Sequence, residues 1–274
     1  MEEQQRAVAQ DEKVQQKMSQ IQKKIIVMSG KGGVGKTSVA VNLSYGWAIQ
    51  NKKVGILDID IHGPNVAKML NIENERILNS DLGVEPVRVL PNLRAVSLAL
   101  LGYGPDNPII WRGPLKFTAI KQLLGEVNWG TLDYLVIDSP PGTGDEPLSA
   151  CQLIPDISGS VIVTTPQDMS ILDARKSVYF SKRLGIPVIG IIENMSGLIC
   201  PHCHNEIQLF KKGGGEKAAL DIGVPFLGRI PFEPELVELA DRGVPFVYER
   251  KDTAAGKIFA ETLIKIEAFL STRH

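Results

Sequence analysis

The chain has 274 residues, 43% of them hydrophobic, which is enough for one large α/β domain or two small ones. Thirty Lys and Arg against 31 Asp and Glu leave a net charge of −1, and aromatics make up only 6%. No basic excess or stacking platform points to nucleic acid, no polybasic tract points to an anionic membrane, and three cysteines do not make a disulfide scaffold. No run approaches the ~20 apolar residues of a membrane span. The opening "MEEQQRAVAQDEKVQQKMSQIQKK" lacks both the apolar stretch of a secretory signal and the Arg/Ser-rich composition of a transit peptide. The expectation is a cytoplasmic protein in a reducing compartment, with neither nucleic acid nor membrane as partner.

Residues 1–23 read as a polar lead-in, helical or disordered, and residues 24–274 as a single domain. "KIIVMSG" is a short β-branched run ending in glycine and predicts a buried strand, with a helix following over Thr37 to Gln50. "KVGILDID" predicts a second strand, "NVAKMLNI" a short helix, "LRAVSLAL" a third strand and "PLKFTAIKQLL" a helix. "LDYLVIDSPPG" is a fourth strand stopped by two prolines, and "GSVIVTT" a fifth, before a helix from about Asp168 to Leu184. "IPVIGIIENM" and "VPFLGRIP" complete seven strands, and helices near 233–241 and 253–270 close the chain. Apolar strands alternating with helices specify a mostly parallel α/β sheet of seven to eight strands, covered by helices on both faces.

"GKGGVGKT" matches G-x-x-x-x-G-K-[ST] and lies between a strand and a helix, the setting in which this pattern binds phosphate. Gly30, Gly32, Gly33, Val34 and Gly35 would present backbone N–H groups to a polyphosphate, assisted by the helix N-terminus. Lys36 is the candidate for the β- and γ-phosphates, the Thr37 hydroxyl for Mg²⁺, and Ser38 for the α-phosphate. Lys31 is a second lysine that such a loop does not need; it is either solvated or directed across a dimer interface at the partner's nucleotide. Asp58 and Asp60 end the second strand and Asp138 the fourth, so all three carboxylates belong to the ligand-binding edge of the sheet. Asp138 fits a Mg²⁺-anchoring acid, Asp60 an acid that positions the attacking water, and Asp58 a support for its loop or for Mg²⁺. The residues alone therefore read as a metal-dependent nucleotide phosphatase.

The second lysine in "GKGGVGKT" resembles the deviant Walker A signature of dimerising ATPases, among them division-site and plasmid-positioning ATPases and the nitrogenase iron protein. With "DIDIHGPN" (58–65), "WRGP" (111–114), "DYLVIDSPPGTGDE" (133–146), "TTPQ" (164–167) and "ENMSG" followed by "CPHC" (193–203), the chain resembles the Mrp/ApbC/Nbp-type iron–sulfur cluster carriers from residue 24 to about 270. The resemblance implies a homodimeric ATPase that hands a labile [4Fe–4S] cluster to client apo-proteins. It implies roles in catalysis for Lys31, Lys36 and Asp60, base contact for Asn194, and a place beside the adenine for the segment holding Pro231. Cys200 and Cys203 match the pair that bridges the cluster, two thiolates from each chain. Residues 1–150 contain no cysteine, so a second stable cluster is not expected.

By spacing alone, the C-x-x-C of the 197–206 loop also suits haem attachment, a dithiol redox pair or half a zinc site, with His202 and His204 as possible zinc ligands. Zinc at the same sulfurs stays open. Cys151, in "EPLSACQL", reads as a small buried hydrophobe. Two rival functions also remain: a positioning ATPase that uses the final helix as an amphipathic anchor, and a zinc-bridged dimeric NTPase.

Overall fold

The computed structural model describes residues 2–60, 63–80, 83–101, 113–199, 203, 205–207 and 209–273. Its strands are β1 (Ile21–Ser29), β2 (Val54–Asp58), β3 (Leu78–Ser80), β4 (Gly83–Glu85), β5 (Val87–Leu90), β6 (Leu93–Ser97), β7 (Leu132–Asp138), β8 (Gly159–Thr164), β9 (Val188–Glu193), β10 (Leu198–Ile199), β11 (Glu206–Ile207) and β12 (Phe226–Arg229). Its helices are α1 (Glu2–Met18), α2 (Lys36–Ile49), α3 (Val66–Met69), α4 (Gly113–Glu126), α5 (Asp145–Leu153), α6 (Asp168–Arg183), α7 (Gly214–Ile222), α8 (Pro234–Asp241), α9 (Phe246–Glu249) and α10 (Ala254–Ser271).

Eight strands form one sheet in the order β12-β9-β8-β1-β7-β2-β6-β5. All neighbours are parallel except β5 and β6, an antiparallel pair at one edge. The seven strands expected from apolar runs are all in this sheet, because β2, β8 and β9 are buried along their whole length and only a doubly covered sheet can bury them. The edge strand β5, "VRVL", is not singled out by the sequence reading, nor are the two small hairpins β3–β4 and β10–β11.

Two apolar layers flank the sheet. One contains Val39, Leu43 and Trp47 of α2 with Phe246 of α9 and Phe259, Leu263 and Ile266 of α10. The other contains Met18 of α1, Ile120 and Leu124 of α4, Ala174 and Val178 of α6 and Ala219 of α7. The last helix thus spends its apolar stripe on the core. No helix among the described residues is long and apolar enough to cross a membrane.

Most of the polar opening stretch is α1. Val14 and Met18 of α1 are buried against the layer that holds α4, and Lys121 pairs with Asp11 at 2.7 Å. β1 opens at Ile21, which aligns with Leu132 of β7, so the boundary drawn at residue 23 falls inside a strand. The polar "QKK" at 22–24 hides that start: Lys24 is buried, and its ammonium donates to the carbonyl of Met18 at 3.3 Å.

Candidate functional site

The carboxyl ends of β1, β7 and β2, adjacent in the sheet, deliver the glycine-rich loop, Asp138 and Asp58 to one edge. Residues 30–35 turn from β1 into α2. Gly35 caps α2 in a left-handed conformation (φ 84°), and a Cβ there would lie 2.2 Å from Asn194 Nδ2. Gly30 is needed for a different reason, since a Cβ would lie 2.3 Å from the backbone of Asp173 in α6. Val34 tucks into the core, while Gly32 and Gly33 are exposed beside a cavity of about 200 Å³ that Ser38 and Pro141 also line.

Lys36 and Thr37 open α2 and are buried. Lys36 Nζ lies 2.7 Å from Asp138 Oδ1 and 3.6 Å from Asp60 Oδ2, and Thr37 Oγ1 donates to Asp138 Oδ2 at 2.7 Å. Asp58 aligns with Asp138 across the β2–β7 pair, and both are fully buried. Asp58 accepts from the backbone N–H groups of Asp60 (3.1 Å) and Val66 (3.3 Å) and from the Ser97 hydroxyl (3.0 Å). Of the two roles expected for it, loop support has the contacts. Burial and the facing Asp138 push the Asp58 carboxyl well above the usual carboxylate range. Burial also raises Asp138, opposed by Lys36 and Thr37. Hard oxygens at a helix start, in a pocket short of positive charge, suit Mg²⁺.

Lys31 is half-buried, and its ammonium donates to Gln167 Oε1 at 3.4 Å in the segment between β8 and α6. Asn194 lies just past β9, with its amide nitrogen donating to the Val34 carbonyl at 2.9 Å and its backbone N–H to the Thr164 carbonyl at 2.7 Å. In this structure, then, Asn194 braces the glycine-rich loop from below. Pro231 is half-buried just past β12, after Ile230, whose N–H donates to the Glu193 carbonyl at 2.8 Å and whose carbonyl accepts from Ser196 at 3.0 Å.

Cys203 is exposed and forms no disulfide, in the turn between β10 and β11. Cys200, His202 and His204 lie outside the described residues, as do Trp111, Arg112, Ile61 and His62 of the quoted motifs. Cys151 is half-buried, and burial pushes its thiol up to about 12, which keeps it protonated and inert.

Sequence reasoning missed Ser97 and Glu193. Ser97 carried no signal. Glu193 did: it ends a fully apolar strand, the pattern that singled out Asp138.

The ParA-group family described as NUBPL iron-transfer P-loop NTPase matches residues 20–267. The iron-sulfur cluster carrier protein of Methanocaldococcus jannaschii is 51% identical over 238 residues, 87% of this chain and 82% of that protein. The nucleotide-binding protein of Archaeoglobus fulgidus, solved in complex with ADP and with cobalt found, is 36% identical. It superposes with a TM-score of 0.79 over 91% of this chain and 96% of that one. The cell division ATPase MinD of Pyrococcus furiosus shares the fold at 23% identity, with a TM-score of 0.65 over 90% of this chain and 98% of that one.

Proposed function

Because the chain belongs to the NUBPL-type iron-transfer P-loop NTPase family, we propose that it is an ATP-hydrolysing homodimer that carries a labile [4Fe–4S] cluster between its two copies and delivers it to apo-proteins. The observation that carries this reading is the position of Cys203: exposed, unpaired, and on a hairpin that leaves the sheet directly after Asn194, the residue bonded to the phosphate loop. One chain offers two clustered cysteines and a [4Fe–4S] cluster needs four ligands, so two copies related by a two-fold axis supply the set.

On the nucleotide side, Lys36 must exchange its 2.7 Å pair with Asp138 for the phosphate oxygens. Thr37 and Asp138 would then hold Mg²⁺, with Asp58 fixing the loop that carries Asp60. Mg²⁺ supplies neutralisation of charge on the β- and γ-phosphates. Asp60, 3.6 Å from Lys36, is the acid that orients the attacking water, and Lys31 reaches the partner's nucleotide once two copies meet. Cluster transfer follows if the two nucleotide states hold the four thiolates at different separations.

Anaerobic reconstitution with iron and sulfide tests the reading. Wild type should hold one [4Fe–4S] cluster per two chains by Mössbauer spectroscopy and metal analysis. Cys200→Ser/Cys203→Ser should hold none, while its ATP affinity stays within about twofold. One zinc per dimer in place of the cluster would replace this function with a zinc-bridged NTPase, and a double variant that still delivers cluster to an apo-protein would sink the cysteine assignment.

A further inference from the structure

Glu193 is fully buried, yet it is a carboxylate, and such a group persists only where hydrogen bonds replace its lost water. Its donors are unusual in their origin. Oε1 accepts from the Ser196 hydroxyl at 2.5 Å, the Gly213 N–H at 2.9 Å and Arg229 Nε at 3.1 Å, and Oε2 accepts from the Gly215 N–H at 2.5 Å. Ser196 precedes the β10–β11 hairpin, and Gly213 and Gly215 follow it at the start of α7. One carboxylate therefore clamps both roots of the hairpin whose turn holds Cys203. The chain is bent into that hairpin by Met195, which is left-handed at φ 57°, and by Gly197 at φ 77°. Gly215 packs closely on the carboxylate's stem: a Cβ there would lie 3.0 Å from Glu193 Cβ, tighter than side chains usually pack.

The neighbouring residue, Asn194, faces the glycine-rich loop. Asn194 donates to the Val34 carbonyl of the phosphate loop, and Met195 Cε lies 3.7 Å from where a Cβ on Gly35 would stand. Glu193, the last residue of β9, and Asn194, the next in the chain, thus bond to the hairpin roots and to the glycine-rich loop respectively.

We propose that Glu193 is a positioning residue that transmits occupancy of the phosphate loop, through Asn194, to the geometry of the cysteine hairpin. That the hairpin holds cargo rests on the function proposed above; the mechanical link itself does not, and it can be read without any cluster. An ion pair with Arg229 that only joined β9 to β12 would need neither Ser196 nor the N–H groups of Gly213 and Gly215.

The test uses the metal-free full chain in a Cys200→Ser background, so that Cys203 is the reactive thiol while Cys151 stays protonated. Its alkylation by iodoacetamide is timed with and without Mg·ADP, at protein concentrations where the chain is monomeric. The parent's rate should change about fivefold on ADP binding, within the usual range for coupled sites. Glu193→Gln keeps the shape but presents an N–H₂ where one backbone N–H needs an acceptor. It should bind ADP with affinity within about threefold of the parent while its alkylation rate responds less than about 1.5-fold. If that variant does not fold, Ser196→Ala removes one of the four bonds and should halve the response. A parent rate indifferent to ADP, or a folded Glu193→Gln or Ser196→Ala variant that responds as the parent does, overturns the proposal. Failure of the cluster reading would appear separately, as no cluster on reconstitution of a chain whose thiol still responds to ADP.

Discussion

Asp58 and Asp138 stand side by side on β2 and β7, both fully buried, and Lys36 hydrogen-bonds only Asp138 of the pair. Both carboxyls are pushed upward, chiefly by burial, so each binds its proton more tightly in the folded chain than in the unfolded one. A raised carboxyl lowers folded-state stability at neutral pH, and the deficit is regained as pH falls through the raised value toward the unfolded value of about 3.9. In the magnesium-free protein, the stability of wild type relative to Asp58→Asn should therefore increase as pH drops from about 7 toward 4. Urea unfolding at each pH reads this directly; parallel curves for the two proteins would show that the carboxyls do not compete for one proton. Saturating Mg·ADP should flatten the difference, because the cation supplies the positive charge that the pair lacks.

The phosphate loop works as an element because its backbone is held from outside. Gly35 turns it at φ 84°, and Asn194, on the far side of the sheet's central strand β1, ties down the Val34 carbonyl. Gly35→Ala would place a methyl 2.2 Å from the Asn194 amide nitrogen and force alanine into a left-handed turn. It should cost about 1–3 kcal/mol in thermal unfolding and weaken nucleotide binding at least ~100-fold by calorimetry. Gly32→Ala is the control: a Cβ there meets nothing within 4 Å, so stability should change by less than ~0.5 kcal/mol. Equal losses from the two substitutions would mean that the loop tolerates no side chain for reasons other than its tie to Asn194.

At the scale of the molecule, the sheet puts the nucleotide edge on β1, β7 and β2 and the cysteine hairpin after β9, one strand removed from β1, with an apolar layer on each face. Within one copy, Lys31 is hydrogen-bonded to Gln167 rather than to Asp60 or Asp138. If it serves the partner's nucleotide, Lys31→Ala should bind ATP as wild type does. It should lose about 10²- to 10³-fold in hydrolysis, the usual cost of removing one charge-stabilising donor, and lose ATP-dependent dimerisation by light scattering. Wild-type turnover in that variant would remove the trans role.

The sequence by itself determined the seven parallel strands, the phosphate loop between β1 and α2, and the acids at the strand ends. These rest on short-range properties: runs of β-branched residues that must be buried on both faces, and glycines where the backbone must turn or approach a neighbour. Only the tertiary structure decided which partners those groups find. Lys36 meets Asp138 across 102 residues and Asn194 meets Val34 across 160, and no local pattern encodes such separations. The edge strand β5, the docking of α1 on α4, the start of β1 disguised by lysines, and the four-bonded Glu193 escaped for the same reason. Each is a polar or short segment whose stability comes from neighbours distant in the chain, and hydrophobic periodicity registers only what a segment does for itself.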